Sequence, residues 1–279
     1  MLSRRPLGRL RRRVDSRQQR DRVITAVLSG FLDLIADGAA SAPASRSAAK
    51  RLRYGRVSST LTAIVPLAAA GWALAAIVMA ALWRWHLRLG RGGLADAAWP
   101  LVAGGLAVFY ANVADGAWAR RSAIAWMLGS WGARLGVYWI WDRVFSRHAD
   151  PLVRESVSSF QRSALMAVFF SLPAMFASVD PEPMLGLREL AASALWLVGF
   201  AGEATADRQL VRWQRANNDG ECANGLWRYV PRAHDVFELV TWSAHALFAS
   251  VSPFGWVAIA CPVTIAYRAY RGGTGRAQP

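Results

Sequence analysis

Residues 61–82 read LTAIVPLAAAGWALAAIVMAAL, a run without a charged side chain. About 20 apolar residues carry an α-helix across a hydrocarbon core, so this run predicts a transmembrane helix. Ala97–Ala114, Ser122–Trp141, Phe160–Val179, Leu187–Ala206, His234–Ser250 and Pro253–Tyr270 repeat the pattern, the third around Arg134 and the fifth with Glu203 near its end. The last two are expected to form a tight hairpin across Val251 and Ser252. Backbone groups in lipid must be satisfied internally, which leaves helices or closed barrels. Unbroken apolar runs lack the two-residue alternation of a barrel strand. The fold expected is therefore all-α, a polytopic membrane protein of about seven transmembrane helices.

Composition agrees. Of 279 residues, 54% are hydrophobic and 18% charged, with 14 tryptophans, which excludes a disordered chain. The net charge is +15, but from Leu61 onward the arginines punctuate long apolar runs, so a membrane is expected as partner and nucleic acid is not. Two cysteines, Cys222 and Cys261, build neither a disulfide framework nor a structural zinc site.

Residues 1–56 differ in kind from 57–279. Nine arginines crowd Arg4 to Arg22, a short amphipathic stretch follows from Val23 to Ile35, and Ala39 to Ala49 is small and loop-like. The head reads as a signal-like segment, a basic surface arm, or an extension outside the fold. We draw the domain boundary at 56/57. Charge between the spans then sets orientation. One side collects Arg84, Arg88, Arg91, Arg143, Arg147, Arg154, Arg208, Arg212, Arg215, Arg228, Arg232, Arg268, Arg271 and Arg276, and the other holds Arg120, Arg121 and Arg188. The C-terminus is expected to be cytoplasmic, although Arg46, Lys50, Arg51, Arg53 and Arg56 beside the first span point the other way.

The longest polar loop joins the fifth and sixth spans. It carries Gly202-Glu203-Ala204-Thr205-Ala206-Asp207-Arg208-Gln209-Leu210 and, after an Asn/Asp/Gly turn, Gly225-Leu226-Trp227-Arg228-Tyr229-Val230-Pro231-Arg232-Ala233-His234-Asp235-Val236-Phe237-Glu238. Its arginines, Arg212 and Arg228 among them, suit phosphates; they equally suit positive-inside charge. Glu203 and Asp207 lie four apart on one helical face, and Glu238 opens the sixth span. Carboxylates at membrane depth are costly unless paired or used. Pairing with arginine at a helix end is the plainer reading.

These residues resemble the C-terminal part of the steroid 5-alpha-reductase family, in its bacterial branch called domain of unknown function 1295. The resemblance rests on Gly202-Glu203-x-x-Ala206-Asp207-x-Gln209-Leu210 followed by Gly225-Leu226-Trp227-Arg228-Tyr229. Asp96-Ala97-Ala98-Trp99, Trp131-Gly132-Ala133-Arg134-Leu135, Phe160-Gln161 and Ser171-Leu172-Pro173 match in the same order, over roughly residues 94–250.

The resemblance implies a seven-helix reductase of the inner membrane that binds NADPH from the cytoplasm. Its reaction delivers hydride to a carbon–carbon double bond conjugated to a ketone in a lipid or steroid-like substrate. Carried over, Asp207, Arg212, Gly225, Arg228, Tyr229, His234 and Glu238 become the cofactor set. Asp96 and Glu203 become the catalytic candidates, Asp96 near the place of the acid that polarises the ketone. Without the resemblance, Asp96 reads equally as a helix N-cap. The chain departs from the family pattern at Arg232 and His234, where His and Asn are expected, and at Trp131, aligned with an acid tyrosine. It also ends at Pro279 without the family's Tyr-rich tail, which is expected to leave the cofactor less covered.

Two alternatives stand beside this reading: a membrane methyltransferase related to isoprenylcysteine carboxyl methyltransferase, and a non-enzymatic lipid-binding member of the family. No metal is expected, because His234 and Glu238 have no third ligand in the sequence. His86 and His148 are read as interfacial, His245 as a helix-contact residue, and Trp83, Trp85, Trp139 and Trp141 as an aromatic belt.

Overall fold

The computed structural model describes Ser29 and residues 46–90, 92–141, 154–216, 222 and 224–275, with side chains, Ser29 apart, between Thr60 and Arg271. The arginine-rich head to residue 45, Arg91, Arg143, Arg147, His148, the turn at 217–221 and Arg276 lie outside the described residues. Among the described residues there is no strand. In chain order the helices are α1 (Arg46–Leu89), α2 (Leu94–Val113), α3 (Trp118–Ile140), α4 (Val157–Ser178), α5 (Leu187–Arg215), α6 (Leu226–Tyr229), α7 (Ala233–Ala249) and α8 (Ala260–Gly275).

The all-helical expectation is met. Among the described residues, three segments are long and apolar enough to cross a membrane: Thr60–Leu89, Leu94–Val113 and Val157–Ser178. The other expected spans are helical but fall short for physical reasons. Helix α3 carries Arg120, Arg121 and Arg134, and α5 carries Arg188, Glu189, Glu203 and Asp207. At 17 and 16 residues, α7 and α8 are shorter than the usual crossing length. Helix α1 is continuous across residues 56 and 57.

Two boundaries depart from the sequence reading. Arg208, Arg212 and Arg215, read as loop, are the last turns of α5, because Arg, Gln and Leu propagate a helix to its end at Arg215. The terminal connection is not a two-residue hairpin. A turn in which Phe254 takes φ 61° leads into a 3-10 segment, Gly255–Ile259, before α8 begins. Gly255 is required there, since a Cβ would lie 1.7 Å from the Ala249 carbonyl oxygen.

The chain forms two compact units. The larger comprises the described residues between 46 and 194 together with Ala244–Cys261, and the smaller comprises Leu195–Ser243 and the segment from Pro262.

In the larger unit, α2 and α3 meet backbone to backbone. A Cβ on Gly132 would lie 2.3 Å from the Pro100 carbonyl oxygen, and one on Gly136 2.6 Å from Leu101 Cβ. Small residues at such a seam let backbones approach and gain dispersion contacts where lipid supplies no hydrophobic drive. Around it, Trp99 packs against Trp131, Trp139 and Phe170 with centroids 5.9, 6.4 and 5.0 Å apart. Trp139 therefore belongs to this cluster, whereas Trp85 and Trp141 are exposed.

His86 is not interfacial. It is 1% exposed, and its Nε2 accepts the Glu155 backbone N–H at 3.0 Å. The Glu155 carboxylate in turn accepts the N–H groups of Gly93 and Ala95, both at 3.2 Å, and so caps α2 from a distant segment. Capping by Glu155 also removes the N-cap reading of Asp96, which sits exposed in the first turn of α2.

Arg120, counted above as a topology charge, is 1% exposed. Its guanidinium pairs with Asp180 at 3.0 Å and with Glu189, and donates to the carbonyls of Glu182 at 3.0 Å and Met184 at 3.1 Å. Gly116 and Ala117 donate to the Ser178 and Asp180 carbonyls at 3.1 and 2.9 Å, which fastens the α2–α3 turn to the end of α4.

Candidate functional site

The smaller unit gathers the polar motif. Its helices approach closely because two glycines permit it: a Cβ on Gly199 would lie 2.6 Å from Thr241 Oγ1, and one on Gly202 2.2 Å from Phe237 Cδ1. These contacts set the second half of α5 against the first half of α7. The remaining motif positions have local explanations. Ala206 is buried, and its carbonyl accepts the Trp227 indole N–H at 3.0 Å. Gln209 Oε1 accepts the Leu226 N–H at 2.8 Å and so holds the start of α6. Gly225 takes φ 60°, and a Cβ there would lie 2.5 Å from the Gln209 amide nitrogen. Glycine is therefore needed for both conformation and space.

Two acid-bearing faces meet on this frame. Glu203 and Asp207 on α5 confront His234 and Glu238 on α7, with His234 Nδ1 2.6 Å from Asp207 Oδ1 and His234 Nε2 3.7 Å from Glu238 Oε2. Glu203 is wholly buried, whereas Asp207, His234 and Glu238 keep 20%, 27% and 17% exposure of their side chains. One ligand atom from each of Glu203, Asp207 and His234 lies within 4.8 Å of the others, and the same holds for His234, Asp235 and Glu238.

Burial alone would lower the His234 pKa. The hydrogen bond to Asp207, with the charges of Glu238, Asp207 and Glu203, outweighs that and holds it up at about 9. Burial pushes the Glu238 carboxyl up, against the pull of His234 and Arg268.

The arginines divide into two groups. Arg208, Arg212, Arg215 and Arg228 are exposed, and Arg228 lies 5.8 Å from the ring centroid of Tyr229, itself 73% exposed. Arg232 is engaged elsewhere, donating to the Ala269 carbonyl at 2.7 Å and pairing with Asp235. It holds φ 56°, in the left-handed region where a non-glycine residue is strained. Its tie to α8 was not legible, because 37 residues separate Arg232 from Ala269.

The structure thus brings Glu203, Asp207, His234 and Glu238 together, with Gly225, Arg228, Tyr229 and Arg212 in the same unit. Asp96 belongs to the larger unit. There Trp131 is fully buried against Trp99, and indole donates no usable proton, so it takes no part as an acid. The arrangement can oppose phosphates with exposed guanidinium groups and accept hydroxyl hydrogen bonds on carboxylates. The model of a family described as protein of unknown function (DUF1295) matches residues 82–274. No curated protein and no solved structure matches the chain.

Proposed function

Because the chain belongs to the DUF1295 family, we propose that it is a multi-pass inner-membrane reductase, using NADPH to reduce a carbon–carbon double bond conjugated to a ketone in a lipid or steroid-like substrate. The observation that carries this reading is the convergence of Asp207, His234 and Glu238 in a unit that also presents the exposed Arg208, Arg212 and Arg228. The residues suit a dinucleotide: the arginines offer charge-assisted hydrogen bonds to phosphates, and Asp207 and Glu238 can accept hydrogen bonds from hydroxyl groups. Bound NADPH supplies the hydride. On this reading Arg212 and Arg228 hold phosphate, Gly225 lets the backbone approach, and Tyr229 stacks beside Arg228. Glu203 steadies the Asp207–His234 pair. Arg232 is left out of the cofactor set because Ala269 and Asp235 already engage it.

The test is NADPH titration of detergent-purified protein. Arg228→Ala should weaken binding by roughly 1.5 to 3 kcal/mol, the usual worth of a charge-assisted hydrogen bond, or about one to two powers of ten in Kd. Arg228→Lys should recover only part of it, because ammonium lacks the guanidinium fork. Unchanged affinity in a correctly inserted Ala variant rules Arg228 out, and no NADPH binding by the parent rules out the reductase.

The same reading places 208–232 and the C-terminus in the cytoplasm. Cys222 is a native probe, because Cys261 is wholly buried with its thiol directed at the Phe169 carbonyl at 3.5 Å. An impermeant thiol reagent should label Cys222 only after spheroplasts are lysed. Labelling in intact spheroplasts reverses the topology.

A further inference from the structure

We propose that Glu203, Asp207 and His234 form a binding site for one first-row divalent cation of the zinc or manganese type. The inference goes beyond the reductase reading and needs no nucleotide. It starts from spacing: two side chains four apart on α5 face two side chains four apart on α7. Such i, i+4 pairs on adjoining helices can bring ligands together, as in metal sites built inside helical bundles, and here Glu203 and Asp207 meet His234.

The sequence by itself offered His234 and Glu238 and no third ligand. The fold supplies it, because the approach at Gly199 and Gly202 brings α5 against the imidazole. On one side of the ring Glu203, Asp207 and His234 offer atoms within 4.8 Å of one another, and on the other His234, Asp235 and Glu238 do the same. Asp235 is drawn off by Arg232 and Glu238 lies at the far nitrogen of the ring, so Glu203, Asp207 and His234 are the ligand set.

The donor set selects the ion. One imidazole with carboxylates suits zinc, manganese or iron, whereas magnesium and calcium prefer oxygen alone and copper(I) prefers sulfur. Charge points the same way. Two carboxylates, Glu203 wholly buried and Asp207 mostly so, face the imidazole, and a dication adds positive charge among them. Such an ion would also lower the repulsion that these carboxylates exert on an incoming phosphate.

Untagged full-length protein in detergent, stripped with a chelator, is titrated with Zn²⁺ and with Mn²⁺ in the absence of nucleotide. The parent should take up roughly one cation per chain. Asp207→Asn, His234→Gln and Glu203→Gln should each weaken uptake by about tenfold or more, the loss seen when ligands or their supports are removed. Each should keep the parent's elution profile in chelator, and Asp207→Ala or His234→Ala replaces any variant that does not accumulate. Glu182→Gln, an exposed acid of the larger unit, should bind as the parent does. No uptake by the parent, or equal uptake by all well-folded variants, overturns the proposal. NADPH titration of metal-free parent is a separate measurement, so failure of the metal site and failure of the reductase reading are told apart.

Discussion

Arg120→Ala is expected to cost about 3 to 5 kcal/mol, the penalty for breaking a buried ion pair from one side. Asp180 and Glu189 are 3% and 1% exposed, so removing the guanidinium strands two carboxylates away from water. It also leaves the Glu182 and Met184 carbonyls without their donor. Natural domains hold only about 5 to 15 kcal/mol in total, so the variant should accumulate poorly or melt well below the parent in detergent. The pairing implies a further result: Asp180→Asn with Glu189→Gln in the Arg120→Met background should recover part of the loss, because no unpaired charge then stays buried. Arg162→Ala, at an exposed arginine, should change stability by less than about 0.5 kcal/mol. A melting curve for Arg120→Ala that coincides with that of Arg162→Ala would show that the network contributes nothing.

The second large effect is expected at Gly132. A methyl there would lie 2.3 Å from the Pro100 carbonyl oxygen and 3.0 Å from the Gly104 backbone, atoms that cannot move without parting α2 from α3. Overpacking of this kind costs about 1 to 3 kcal/mol for a small increment. Gly132→Ala should therefore lower the melting temperature clearly, and Gly132→Leu should prevent accumulation. Gly105 provides the contrast, since a Cβ there meets nothing within 4 Å. Gly105→Ala should be neutral or stabilising by up to about 1 kcal/mol, through helix propensity alone. Equal sensitivity at the two glycines would mean that α2 and α3 do not meet along this seam.

These expectations separate the two kinds of information the chain carries. Periodicity and run length depend on neighbours in sequence, so the helices were legible: each of the seven expected segments contains a helix, the last one only from Ala260 after a 3-10 segment. The i, i+4 pairs Glu203/Asp207 and His234/Glu238 were legible too, because a helix fixes which side chains share a face. Membrane crossing was legible only in part, since an apolar run interrupted by arginines and acids looks the same whether lipid or protein surrounds it. Only three described segments meet both length and hydropathy.

What the sequence could not decide is which face meets which. Arg120 looks like a topology charge until Asp180 and Glu189 are brought to it across 60 or more residues, and His86 looks interfacial until Glu155 reaches it. Asp96 looks like a cap until Glu155 takes that place. Arg232 looks like a phosphate ligand until the Ala269 carbonyl engages it. Each outcome depends on a partner far along the chain, and a buried charge or an unfilled backbone donor must find one wherever the fold puts it. The sequence by itself determined the helices and the polar faces they carry. The tertiary structure alone decided the pairing of those faces, because glycine contacts at Gly132, Gly199 and Gly202 fix the distances at which one helix can answer another.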